Sequence, residues 1–136
     1  MPNETMPTRD QQRAQQAFSA IEAYKDRPEK EKADYKSLVL GLPALIHDCG
    51  LCQAVAFLQA KKKGHHHRVL SDLCRMLLGK TESERHDMLG TEVRHAELPR
   101  YQQLSMDALR CAEYLKRYAE AFLEPDVKAQ DRKAIP

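Results

Sequence analysis

The chain of 136 residues is the size of one domain, and its 42% hydrophobic and 31% charged residues exclude an intrinsically disordered protein. Its net charge of +2 is too small to indicate a nucleic-acid-binding protein unless charge is segregated locally. No apolar run is long enough to span a membrane and the N-terminal residues are polar, so we expect a cytoplasmic protein with no membrane partner.

Helical spacing of Leu and Ala dominates the sequence and predicts an all-α fold, a single compact bundle of about six helices. Residues 1–8 are predicted to be a flexible N-terminal tail, residues 9–124 the helical bundle domain, and residues 125–136 a flexible C-terminal tail. No strand-like alternation of β-branched residues extends beyond a few positions.

The first two helices have clear boundary signals. Thr8 and Gln11 form a capping box, which predicts a helix from Arg9 to Tyr24. Residues 25–34 are predicted to be either a solvated, charged linker or the fraying start of the next helix, and the apolar spacing predicts helix two over residues 35–49.

Two residues shape the predicted middle of the chain. Pro43 lies inside helix two and predicts a kink near Gly41, whereas Gly50 is predicted to end the helix in a left-handed conformation. Residues 51–61 are apolar nearly all round and predict a short helix at the centre of the core.

The second half of the chain has weaker signals. Residues 61–68 predict a strongly basic turn, followed by helix four, which ends at Gly79. Thr81 and Glu84 form a second capping box that predicts a short helix ending at Gly90. Residues 91–100 are predicted to be a loop. Ser105 is predicted to cap the last helix, with Leu104 and Leu109 as its hydrophobic staple and Pro125 as its stop.

Catalytic and metal-binding patterns are weak. Cys49 and Cys52 have the spacing of half a zinc site, but no second pair accompanies them, so we predict no bound metal and no cofactor. The three histidines at 65–67 point in different directions on a helix, and a solvated loop explains them better. The acidic residues are expected on exposed faces beside Lys or Arg, which leaves no carboxylate pair for catalysis. We therefore predict a protein that is not an enzyme and has no small-molecule substrate.

Basic residues are the more informative group. Arg9 and Arg13 lie four apart on one helix face, and Arg68 follows the lysines of the basic turn. If the fold gathers such residues, they form a surface that follows phosphates without reading base sequence. An ordinary solvated surface is the competing interpretation. The candidate RNA-binding residues are Arg13, Lys61, Lys62, Lys63, Lys116 and Arg117.

Residues 42–61 resemble a family signature: a Leu-Pro-x-x-Ile that begins at Leu42, a Gly-Leu at Gly50, and an apolar helix that ends at Lys61. Two further pieces follow, Tyr101-x-x-Leu-Ser and the segment 114–121. In their order and spacing these motifs resemble the signature of the small all-helical subunit of the type III-B CRISPR effector, the Cmr complex. The similarity covers about residues 9–123. The basic segment 61–68 and Cys49 depart from the pattern.

The resemblance implies a non-catalytic subunit that acts in antiviral defence by stacking with copies of itself in a minor filament. Its partners would be other Cmr subunits, its own copies, the phosphate backbone of target RNA and possibly the crRNA backbone. Two alternatives remain open: a helical protein-protein adaptor without RNA contact, and a metal- or thiol-dependent enzyme using Cys49, Cys52 and His47.

Overall fold

The computed structural model describes residues 6–61, 64–79 and 86–123, and this part of the chain contains six α-helices and no β-strand. The all-α prediction is therefore confirmed. The helices are α1 (Arg9–Tyr24), α2 (Glu29–Cys49), α3 (Leu51–Ala60), α4 (Gly64–Leu78), α5 (His86–His95) and α6 (Leu98–Phe122).

Local capping chemistry sets the start of α1 where the sequence predicts it. The backbone N–H of Gln11 donates to the Thr8 hydroxyl oxygen (3.0 Å), and the Thr8 N–H donates to the Gln11 side-chain oxygen (2.8 Å). Each bond satisfies an N–H group that would otherwise lack a partner at the helix start.

Of the two interpretations of residues 25–34, the start of the next helix is confirmed from Glu29 onward, where α2 begins, and only residues 25–28 form a linker. Pro28 fixes the backbone before the first turn, and Glu29 and Glu31 place negative charge at the positive end of the helix dipole. An i,i+4 ion pair from Lys30 to Asp34 adds support (3.3 Å). The helix continues through Pro43 to Cys49.

Gly50 joins α2 to α3 with a φ of +89° and a ψ of 159°, so the predicted positive φ is confirmed. Its N–H donates to the Ile46 carbonyl oxygen (2.9 Å), and the Cys52 N–H donates to the Tyr101 hydroxyl oxygen (3.1 Å). The start of α6 therefore lies against the α2–α3 junction. Helix α4 ends before Gly79, as predicted, and Gly79 also has a positive φ (+72°).

Three boundaries in the second half differ from the prediction. The basic turn is largely helical because α4 already begins at Gly64, and the histidine segment is its first turn rather than a loop. Gly90 lies inside α5 instead of ending it. The predicted loop 91–100 is mostly helical, and Ser105 lies inside α6, not at its cap. The Thr81–Glu84 capping box and Pro125 lie outside the described residues.

The most extensive helix pair is α2 with α6, and α1 packs on α6 beside it. Contacts from Phe18 to Tyr118 and Phe122 show that α1 and α6 run parallel, while the Tyr101 contact makes α2 antiparallel to both. The prediction that α3 is the centre of the core is wrong, since Phe57 on it is exposed. The fully buried residues of the α2–α6 pair include Tyr35, Leu42, Leu104 and Leu115.

Candidate nucleic-acid interface

The predicted RNA-binding residues lie on separate surfaces. Lys61 is exposed at the end of α3, where its Nζ lies 5.3 Å from the centre of the Phe57 ring. Lys116 is half-buried and Arg117 is exposed, because consecutive residues of a helix diverge by about 100°. Lys62 and Lys63 lie outside the described residues.

Arg13 has an internal partner. Its Nη2 donates to the Asp107 carboxylate at 2.8 Å, and its side chain is only 12% exposed. Asp107 also accepts from Gln103 (3.1 Å) and pairs with Arg9 (3.4 Å), whose side chain is 67% exposed. This network links α1 to α6 in the wall of a hollow of about 390 Å³. Arg9, rather than Arg13, is the cation that this pair presents to solvent.

A second hollow, of about 300 Å³, lies between α1 and the last third of α6. Arg110, Tyr114 and Arg117 line it at i, i+4 and i+7, so they share one face of α6. The Tyr114 hydroxyl donates to Asp10 (2.7 Å), and that hydrogen bond raises the pKa of Tyr114. Within the described part of the chain, neither arginine has a carboxylate within 4 Å. Both guanidinium groups therefore remain available to an anionic ligand, although Asp10 and Glu113 also line the hollow.

Aromatic side chains continue this face towards the end of α6. Tyr118 lies 5.9 Å from Tyr114, Phe122 and Phe18, measured between ring centres, and Phe18 lies 5.4 Å from Phe122. Phe18 and Phe122 are exposed at their rims. The cluster closes the α1–α6 contact and leaves apolar surface beside Arg117.

The cysteines occupy unrelated positions. Cys49 is exposed, Cys52 is half-buried with its thiol against the Val93 carbonyl oxygen (3.5 Å), and Cys74 and Cys111 are buried. Burial raises the pKa of the Cys111 thiol to about 11. Over the residues that the structure describes, no three His, Cys, Asp or Glu side chains are placed to hold one metal ion.

Sequence reasoning noted Arg9 beside Arg13 but left it out of the candidate RNA-binding residues, and it missed Arg110. The i, i+4, i+7 spacing of Arg110, Tyr114 and Arg117 was the available signal for one face. No local signal identifies the partner of Arg13, because Asp107 is 94 residues away. Among the described helices, none is long and apolar enough to cross a bilayer.

Comparisons with known proteins agree with one another. The family model described as CRISPR-associated protein (Cas_Cmr5) matches residues 9–122. The chain is 35% identical over 120 residues to the CRISPR system Cmr subunit Cmr5 of Thermus thermophilus, covering 88% of this chain and 99% of the relative. It is also similar to the crystal structure of a CRISPR-associated Cmr5 family protein from the same organism. The TM-score is 0.77 at 33% identity, covering 88% of this chain and 100% of the other.

Proposed function

This chain belongs to the Cas_Cmr5 family of CRISPR-associated proteins, and we propose that it is a non-catalytic small subunit of a type III-B (Cmr) ribonucleoprotein effector complex. In that role it stacks with copies of itself in a minor filament and helps to hold target RNA through its phosphate backbone in antiviral defence. The observation that carries the proposal is the family match across the whole described bundle, residues 9–122.

The RNA contact is proposed to be electrostatic. Arg117 and Arg110 face one hollow without carboxylate partners among the described residues, and Lys61 is exposed at the end of α3. Cations on a surface without a base-reading element bind phosphates and discriminate little between sequences. Arg13 contributes less than the other predicted residues, since its side chain is only 12% exposed and its guanidinium is bonded to Asp107.

Several copies along one strand are needed for useful affinity. With a net charge of +2, a single copy attracts RNA weakly, and linking copies on one strand raises the effective concentration of every further contact. The proposed stack therefore converts a weak site into a tight one.

A protein-protein adaptor is the second candidate, and exposed apolar side chains favour it. Leu98 is 66% and Met106 55% exposed, and Phe122 is also exposed on α6. Apolar groups in such positions are typical of contacts with neighbouring subunits. Under this alternative the cations are only solvated.

The test uses two double charge reversals, Lys61→Glu/Lys62→Glu and Lys116→Glu/Arg117→Glu, in the assembled complex. Arg94→Glu, an exposed arginine on α5, controls for the effect of one reversed charge at a site outside the proposed surface. Circular dichroism and size-exclusion chromatography check folding and assembly first.

We expect each double variant to weaken target-RNA binding and to flatten the dependence of log Kobs on log salt by about 0.7 for each phosphate that the variant no longer neutralises. Base sequence should change the affinity little. Variants that assemble and bind RNA as tightly as the wild type would refute the RNA role and favour the adaptor.

A further inference from the structure

A cleft of about 500 Å³ lies where the end of α1, the start of α2 and the first turns of α4 meet. It is separate from the two hollows on the α1–α6 face. Four basic side chains line it, together with Gly64, the buried Tyr24, one aliphatic hydroxyl and one carboxylate, Glu31. The basic ones are Arg27, His65, His67 and Arg68, and the hydroxyl belongs to Ser71.

Arg68 is held in place by a buried carboxylate. Asp72 is fully buried one turn further along α4, with its Oδ1 3.5 Å from Nε of Arg68 and 3.3 Å from Nη1 of Arg75. The Tyr35 hydroxyl donates to Oδ2 of Asp72 at 2.8 Å. Burial raises the pKa of Asp72, and Arg68 is the strongest influence opposing that rise. The Nε of Arg68 faces Asp72 as an ion pair without a hydrogen bond, and the guanidinium has four more N–H donors on its two Nη atoms.

Arg27 is fixed from the other wall. Its guanidinium carbon lies 5.0 Å from the centre of the Tyr24 ring, and its Nη1 donates to Glu31 at 3.2 Å. The Tyr24 ring in turn stacks on Tyr35, with 4.2 Å between ring centres. Both arginines are therefore positioned by one buried unit, the Tyr24–Tyr35 stack with Asp72. These contacts restrict both arginines before a ligand arrives, which reduces the side-chain entropy lost on binding.

We propose that this cleft is a binding subsite for a phosphate group, with Arg27 and Arg68 as its charged ligands and Ser71 as a neutral donor. Arginine forks match the geometry of phosphate oxygens, and the imidazole of His65 lies at the rim of the cleft. The site does not hold a base by stacking, because Tyr24 is only 3% exposed and Arg27 covers it.

The natural source of this phosphate is RNA, an identification that rests on the proposed function. Lys61 lies three residues before Gly64, which lines the cleft, so a single RNA strand can contact both the exposed end of α3 and the cleft. The phosphate is either an internal phosphodiester or a terminal 5′-phosphate, which present the same oxygens to the arginines.

The experiment follows the backbone amides of Gly64 and Ser71 by NMR in the full chain, titrated with pyrophosphate and with one RNA oligonucleotide prepared with a 5′-hydroxyl or a 5′-phosphate. The variants are Arg27→Gln/Ser71→Ala and Arg68→Lys, which keeps a positive charge beside Asp72 while removing the fork. Lys30→Gln is the matched control, because it removes one exposed positive charge three residues from Arg27 without touching the lining.

We expect saturable shifts with pyrophosphate, about tenfold weaker binding in both cleft variants, and less than a twofold change in Lys30→Gln. If the cleft variants bind both RNAs more weakly, the cleft holds a backbone phosphate. If they bind only the 5′-phosphorylated RNA more weakly, it holds a terminal phosphate. If no saturable shifts appear, or if Lys30→Gln weakens binding as much as the cleft variants do, the proposal that the cleft binds phosphate is wrong. Pyrophosphate binding separates the two proposals: if the cleft saturates while the charge reversals leave RNA binding unchanged, only the RNA role has failed.

Discussion

Gly50→Ala should destabilise the protein by about 1–2 kcal/mol. The φ of +89° and ψ of 159° fall in a region open essentially to glycine, where other residues incur about 1–3 kcal/mol of strain. Alanine also restricts the unfolded chain more than glycine does, which offsets about 0.4–1 kcal/mol of this loss of stability. Steric clash of the new methyl group contributes little, because an added Cβ would meet only the Tyr101 hydroxyl oxygen, at 3.8 Å. The loss therefore measures the backbone conformation of the α2–α3 junction.

The assay is urea unfolding followed by circular dichroism, with Gly41→Ala as the matched control. Gly41 lies inside α2 with nothing within 4 Å of an added Cβ, so alanine should stabilise there by about 1 kcal/mol. The two identical substitutions are thus expected to change the free energy of unfolding in opposite directions. In thermal melts Gly50→Ala should lower Tm by about 4–8 °C. A Gly50→Ala variant as stable as the wild type would refute the argument from strain.

Two further predictions concern buried groups. Because burial raises the pKa of Asp72 above its usual 3.8, the folded state binds more protons than the unfolded state between the two values, and this contribution to stability falls as pH rises. We therefore measure the free energy of unfolding in urea from pH 3 to 7 for the wild type and for Asp72→Asn. The wild-type value minus the variant value should be largest at the acid end, and a difference that grows with pH would contradict this. Among the thiols, Cys49 should react with a disulfide reagent at pH 8 at least tenfold faster than Cys111, since Cys49 is exposed and burial raises the Cys111 pKa to about 11; equal rates by mass spectrometry would contradict the burial.

The sequence by itself determined the helical class, the bounds of α1 and the positive φ of Gly50. Each depends on residues close in the chain: the capping box spans four residues, and the left-handed position needs only a glycine after an apolar helix. It failed over residues 91–100, where polar composition predicted a loop. There α5 runs to His95 and α6 begins at Leu98, because a proline in the first turn loses no hydrogen bond.

Only the tertiary structure decided which charged residues are buried, paired or exposed. The acidic residues were expected on exposed faces, yet Asp72 is fully buried, where Tyr35 on α2 donates a hydrogen bond to it and two arginines on α4 form ion pairs with it. Arg13 was predicted to bind RNA, and its carboxylate partner lies 94 residues away in sequence. Periodicity tells which face of a helix is polar, but the charge left on that face depends on which helix packs beside it. That choice is made by the hydrophobic contact of α1 and α2 with α6, which no local pattern encodes.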